Sequence, residues 1–389
     1  MRPFLPNPAG PAGAMLPLLL LAGAVSAEPL YPTPEALGEA LFFDAELSAN
    51  RTQACATCHD PSAGYVDHRG EGVAAAVSLG DDGVSLGDRN APSAAYAMFS
   101  PEFGFVEKTN RWTGGQFHDG RETDLAGQAG GPPLNPIEMG MPDKARVVAR
   151  LRENTDYVAA MQALFGAAIF DDAEGAYGAM AESIAAYEQT EEFAPFSSKY
   201  DRFLRGAATF TDEEELGRVL FFSEQFTNCA LCHQLRRSAI DPAETFSNYE
   251  FHNIGVPENV ALREINGVDA DFVDTGLLMN PAVDDPAAAG LFKVPTLRNV
   301  AVTGPYMHNG VFEDLRTVVL FYDKYNSRAE KRQFNPETDQ PWRVPEVDGT
   351  LSLNELEHGP ALDDQRIDAI VAFLETLTDA RYEHLLDAE

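Results

Sequence analysis

All four cysteines of this 389-residue chain lie in two copies of one pentapeptide, Cys55-Ala56-Thr57-Cys58-His59 and Cys229-Ala230-Leu231-Cys232-His233. C-x-x-C-H is the attachment signal of a c-type haem. Thiols at this spacing share one helical turn and can both add to the vinyl groups of a porphyrin. The adjacent histidine then reaches the iron from the proximal side. The competing reading is a pair of redox C-x-x-C sites, and these need no histidine after each. With no cysteine left over, the pattern predicts two covalent haem c groups and no disulfide.

The sixth position of each iron decides its chemistry. A second strong ligand makes an electron-transfer centre, and an open position makes one that binds peroxide or oxygen. Candidate ligands are His68, His118, His252, His308, His358 and His384, with Met139, Met279, Met307, Tyr322 and Tyr325. Spacing does not choose among them.

The elements that must position these residues repeat as well. Leu37-Gly38-Glu39-Ala40-Leu41-Phe42-Phe43 precedes the first motif, and Leu216-Gly217-Arg218-Val219-Leu220-Phe221-Phe222 the second. Both read as amphipathic helices suited to packing against haem, with starts at Pro34 and Thr211. Helices are also expected over 144–164, 173–187 and 366–377, and 193–203 reads as a linker. The Gly-, Asp- and Pro-rich stretches 64–89 and 114–140 read as long functional loops. The repeat predicts a mainly α protein of two cytochrome-c-like domains, each wrapped round one haem, with long loops. The expected division is a signal peptide over 1–27, a first domain over 28–195 and a second over 196–389.

The predicted leader has Arg2 as its only charge, an apolar run, and Val25-Ser26-Ala27 before Glu28. It implies a periplasmic protein, and no stretch is long enough to predict a membrane span. The chain carries 61 acidic against 28 basic side chains, a formal charge of -33, which argues against nucleic acid or an anionic membrane as partner. At 44% hydrophobic residues it has the material for a real core.

Further landmarks run the length of the chain: Gly87-Asp88-Arg89-Asn90-Ala91-Pro92, Asp119-Gly120-Arg121, Pro133-Leu134-Asn135-Pro136-Ile137-Glu138-Met139, Phe251-His252-Asn253-Ile254-Gly255, Val294-Pro295-Thr296-Leu297-Arg298-Asn299-Val300 and Gly304-Pro305-Tyr306-Met307-His308-Asn309-Gly310. With the two haem motifs they resemble the dihaem cytochrome c peroxidase superfamily. Within it, the chain is similar to the branch whose members make a cofactor in another protein. Ordinary dihaem peroxidases complete the second haem with a methionine, and this chain has none after Met307. The resemblance puts Tyr322 in that place. A phenolate is a hard anionic donor that favours oxidised iron.

The resemblance implies His59 as proximal ligand of an open, reactive first haem and His233 with Tyr322 on the second. Distal roles then fall to Gln128, as hydrogen-bond donor to iron-bound oxygen, Pro132, shaping the pocket, and Glu138, moving a proton between peroxide oxygens. One calcium ion is implied between the domains, at Asn90 and the carbonyls of Thr303 and Pro305. The implied reaction uses hydrogen peroxide, or oxygen plus electrons, and spreads two oxidising equivalents over both irons as a bis-high-valent state. The implied substrate is precursor methylamine dehydrogenase, whose tryptophans become tryptophan tryptophylquinone. Alternatives are a peroxidase fed by a small periplasmic electron donor, a dihaem electron carrier, and an enzyme oxidising tryptophan in another protein. Two tryptophans of the branch have no match here: their places hold Phe117-His118 and Phe226-Thr227-Asn228, and Trp112 and Trp342 fit neither.

Overall fold

The computed structural model describes residues 1, 3, 29–235, 240–269 and 271–386, so the predicted leader falls almost wholly outside it. The fold is mainly helical. Its helices are α1 (Pro34–Phe42), α2 (Cys55–Cys58), α3 (Leu125–Ala129), α4 (Lys144–Leu151), α5 (Thr155–Phe165), α6 (Ala173–Glu188), α7 (Lys199–Leu204), α8 (Asp212–Phe221), α9 (Cys229–Cys232), α10 (Val260–Arg263), α11 (Leu315–Asp323), α12 (Leu353–Leu356) and α13 (Asp364–Glu375). Only short antiparallel ladders accompany them, among them Phe251–His252 paired with Phe292–Lys293. The segment 144–164, expected as one helix, is two. The first ends at Leu151, and Asn154 caps the second, its side chain accepting from Asp156 N at 2.9 Å.

The predicted helix starts have local causes. Thr33 accepts from Ala36 N, with Pro34 at the first helical position. Thr211 and Glu214 form a reciprocal capping box at α8. The two repeated helices then cross their partners in the same way. A Cβ on Gly38 would lie 1.8 Å from the Ser183 carbonyl oxygen of α6, and one on Gly217 would lie 1.8 Å from the Ala369 carbonyl oxygen of α13. Glycine is required at both, because each helix rests on the backbone of the other. The repeated segments therefore serve first to seat helix on helix. Phe42 is buried against Tyr65, Tyr187 and Phe193, and Phe221 reaches a cavity wall.

One core cluster draws on residues from Leu37 to Ala194 and another on residues from Tyr200 to Leu377. Polar ties join them. Arg89 pairs with Asp119 and Asp274, each at 2.7 Å. Tyr382 donates to the Pro61 carbonyl at 2.8 Å.

Candidate haem sites

Each C-x-x-C pair occupies one helical turn, and the following histidine caps it. His59 N donates to Cys55 O at 2.9 Å and His233 N to Cys229 O at 2.8 Å. The rings are tied too: Nδ1 of His59 lies 3.2 Å from the Tyr65 carbonyl, and Nδ1 of His233 lies 3.1 Å from that of Phe246. A carbonyl can only accept, so Nδ1 carries the proton and Nε2 keeps its lone pair for a metal. Burial lowers both rings, His233 to about 4, which keeps the imidazoles neutral. Both carbonyls belong to residues in the left-handed region, Tyr65 at φ 60° and Phe246 at φ 57°. Such strain costs on the order of 1–3 kcal/mol and persists only where the surroundings fix it.

The four thiols form no disulfide. Burial pushes Cys58 and Cys229 up to about 11, whereas redox C-x-x-C cysteines have depressed values. Paired inert thiols and a histidine oriented through Nδ1 fit a covalent haem in each half.

In the second half a cavity of about 330 Å³ is lined by Cys229, Cys232, His233 and Tyr322. Tyr322 comes from α11, whose first turn Asp314 caps through Thr317 N at 3.1 Å. Of the two candidate tyrosines, this one faces the cavity; Tyr325 instead donates to the Ile254 carbonyl at 2.9 Å. Burial, then the cysteine thiols, push the Tyr322 phenol up, so a phenolate there requires a cation in contact. Met307, His118, His252, His308 and His358 also reach the cavity wall. Met279 does not: it is partly exposed, and its sulfur accepts from Arg89 at 3.4 Å. His68 is exposed beside Asp60.

The proposed distal residues lie in one folded-back loop. Gln128 lies in the last turn of α3, and its carbonyl accepts from Gly131 N at 2.9 Å. Pro132 opens a 3-10 turn whose carbonyl accepts from Met139 N at 3.3 Å, returning the chain beside Glu138. The Glu138 carboxylate accepts from Asn135 Nδ2 at 2.7 Å. Burial raises its pKa against that bond, and it lies within electrostatic reach of Cys58. A carboxyl whose proton affinity is raised by burial suits proton transfer.

Asn90, Thr303 and Pro305 all border the second-half cavity. Asn90 Nδ2 donates to the Ala76 carbonyl at 3.0 Å, which turns the amide oxygen, the donor a hard cation needs, away from that bond. Among the described residues no group of three or more His, Cys, Asp or Glu side chains is arranged to hold a metal ion.

Phe117 reaches from the loop that carries Pro132 to the second-half cavity, and His118 follows it. A Cβ on Gly131 would meet Phe117 Cζ at 3.4 Å, next to Pro132, yet both residues also line the second-half cavity. His118 Nε2 is 2.9 Å from the Asn90 carbonyl. Neither tryptophan stands there. Trp112 stacks on Phe103 with centroids 5.0 Å apart, and Trp342 donates to the Arg332 carbonyl at 2.8 Å.

Some buried titratable neighbours gave no sequence signal. Lys293 reaches the cavity, and burial lowers it to about 7. Glu188 is 4% exposed at the end of α6, its Oε2 without a partner among the described residues, and burial raises it to about 8. The carbonyls of Tyr65 and Phe246 follow their histidines at different intervals, which hides the shared geometry.

Comparison with known proteins gives a consistent set. The family model described as di-haem cytochrome c peroxidase matches residues 32–209. The chain is 54% identical over 372 residues to the "Methylamine utilization protein MauG" of Paracoccus denitrificans, covering 95% of each chain. It is 28% identical to the "Cytochrome c peroxidase Ccp" of Escherichia coli, covering 93% of this chain and 63% of that one. Among solved structures, the diheme peroxidase BthA from Burkholderia thailandensis matches with TM-score 0.79 and 34% identity, covering 90% of this chain and 87% of that one. A MauG-like protein associated with microbial copper homeostasis matches with TM-score 0.65 and 28% identity, covering 91% of both.

Proposed function

The chain belongs to the di-haem cytochrome c peroxidase family, and from that premise we propose that it is a MauG-type oxidase completing tryptophan tryptophylquinone in a protein substrate. It is a peroxidase-like oxidoreductase. The proposed substrate is precursor methylamine dehydrogenase, the proposed oxidant hydrogen peroxide or oxygen plus electrons, and the proposed location the periplasm. Among the described residues no helix is long and apolar enough to cross a membrane. We further place the boundary between two haem domains near residue 195.

The observation that carries this reading is Tyr322 on the wall of the cavity that Cys229, Cys232 and His233 also line, in a chain with no methionine after Met307. Bound haem supplies redox equivalents and, where a coordination position is open, a site for peroxide. The protein's part is positioning. Cys55, Cys58 and His59 would hold one haem; Cys229, Cys232, His233 and Tyr322 the other. Glu138 holds and moves a proton, Gln128 offers an amide donor, and Pro132 fills space without offering a ligand. Asn90, Thr303 and Pro305 would hold a calcium ion that ties the halves. Oxidation of a protein too large for either pocket takes place by electron transfer from its surface. The acidic surface favours a partner with a basic patch.

The test is electron paramagnetic resonance of the ferric protein. One high-spin and one low-spin haem are expected, and two low-spin signals would overturn the open first site. Incubation with precursor methylamine dehydrogenase and peroxide should generate the quinone absorbance. Peroxide turnover with a small electron donor and no quinone formation would favour the ordinary peroxidase instead.

A further inference from the structure

Tyr65 is tied to the first haem site by its own backbone, since its carbonyl accepts the His59 Nδ1 proton at 3.2 Å. Its side chain leads away from that site. The ring is fully buried and stacks on Phe193 with centroids 4.3 Å apart. The phenol donates to Glu192 Oε1 at 3.3 Å. That carboxylate is 49% exposed, and Arg381 clamps it. The Arg381 guanidinium lies 5.7 Å from the Tyr65 ring and 5.1 Å from the Tyr382 ring. One peptide, one phenol and one carboxylate thus connect a proximal histidine to solvent. The reaction proposed above uses none of them.

A phenol gives up an electron at an accessible potential only if its proton has somewhere to go. The Tyr65 phenol already donates to the Glu192 carboxylate, which is within reach to take the proton. Tyr65 is also held in a left-handed conformation that a non-glycine residue adopts at a cost. That conformation sends the carbonyl to His59 and the ring to Phe193 at once.

We propose that Tyr65 is a redox relay that drains an oxidising equivalent from the first haem to the protein surface at Glu192. The proposal rests on the oxidase reading above, because hydrogen peroxide is the oxidant. Peroxide takes two electrons, with two protons from solvent, and leaves as two waters. Two turns of the relay supply the electrons one at a time through Tyr65: in each, the phenol O–H bond breaks, the electron passes toward the first haem, and the proton passes to Glu192. This leaves a neutral tyrosyl radical and a protonated carboxyl. A one-electron donor from solvent, such as ascorbate or a small phenol, restores Tyr65, and Glu192 returns the proton. The relay serves when no protein substrate is docked, and it spares the haem pocket from its own oxidant.

The test uses the holoprotein, one equivalent of hydrogen peroxide and no protein substrate, followed by rapid freezing and paramagnetic resonance. A radical signal is expected whose splitting collapses when the protein carries β-deuterated tyrosine. Tyr65→Phe keeps the ring stack and the carbonyl, and should cut the signal at least tenfold. Glu192→Gln should slow its appearance about tenfold, and Tyr187→Phe should leave it in place. If peroxide changes the haem optical spectrum but Tyr65→Phe leaves the radical unaltered, or no tyrosyl signal arises, the relay is wrong and the oxidase reading stands. If peroxide leaves the haem spectrum unchanged, the oxidase reading fails and takes the relay with it.

Discussion

Tyr96 donates its phenolic proton to the carboxylate of Asp379, with both oxygens at 3.0 Å, and so joins residues 283 positions apart in the sequence. Asp379 is fully buried and, among the described residues, no basic side chain is bonded to it; its other donors are Ser197 N, Ser197 Oγ and Asn299 Nδ2, each at 3.0 Å. Convergent donors replace the water that a buried carboxylate loses. Asp379→Ala strands all of them and should cost about 3 kcal/mol or more. The denaturation midpoint measures it, and a change within error would show that the network contributes nothing.

Gly217→Ala places a methyl group against the Ala369 carbonyl, a backbone atom that cannot rotate away. A loss of more than about 3 kcal/mol is expected, with poor haem retention. Gly38→Ala should do the same in the first half. By contrast Gly178→Ala, with open space around its Cβ, should be neutral or mildly stabilising. Thermal melts of the three variants would expose a misplaced crossing at once.

Replacing Tyr322 by Phe should alter the low-spin paramagnetic signal of the ferric protein and leave the high-spin one alone. Tyr322→Met should restore a thioether donor and raise the reduction potential of that haem. An unaltered low-spin spectrum in the Phe variant rules Tyr322 out as a ligand.

Glu138→Gln removes a proton carrier while keeping the Asn135 hydrogen bond in near-isosteric form. The reaction with peroxide should slow by about 10²–10⁴-fold, with the melting temperature nearly unchanged. Stopped-flow spectra decide this, and equal rates would leave Glu138 a structural residue.

Glu188 gives a pH signature. Its pKa is raised in the fold to about 8 from an ordinary 4.5, so the fold accommodates the neutral acid. Stability is full below the unfolded value and falls as pH rises through 8. The ionised carboxylate costs on the order of 5 kcal/mol, at about 1.4 kcal/mol per unit. Glu188→Gln should flatten the fall between pH 5 and pH 9. Parallel curves for the two proteins would mean that the carboxyl ionises without penalty.

Much of this was legible in the sequence because it is local. C-x-x-C-H fixes one turn, so Cys55 and His59 needed nothing distant. Thr33 and Thr211 are caps, read from the residues that follow them. The missing methionine pointed to Tyr322 through the family resemblance, which also supplied Gln128 and Glu138. What stayed hidden depends on contacts between distant segments. Gly38 and Gly217 were visible as a repeat, but their partners on α6 and α13 were not. The Tyr65 and Phe246 carbonyls sit at unequal distances from their histidines. Glu188 looked like one of many acids until α6 carried it into the core. Trp112 and Trp342 proved to be packing residues, held by contacts with Phe103 and the Arg332 carbonyl that their own neighbours do not reveal.

The short segment around residues 379–382 has a consequence for biogenesis. Asp379 holds Tyr96, Arg381 clamps Glu192, and Tyr382 reaches Pro61. All three partners precede this segment in the chain, so α6 can close the first unit while α13, and after it this latch, are still to be made. Fastening by this latch therefore cannot precede completion of α13, and a chain stopped before residue 379 would carry both core clusters without it.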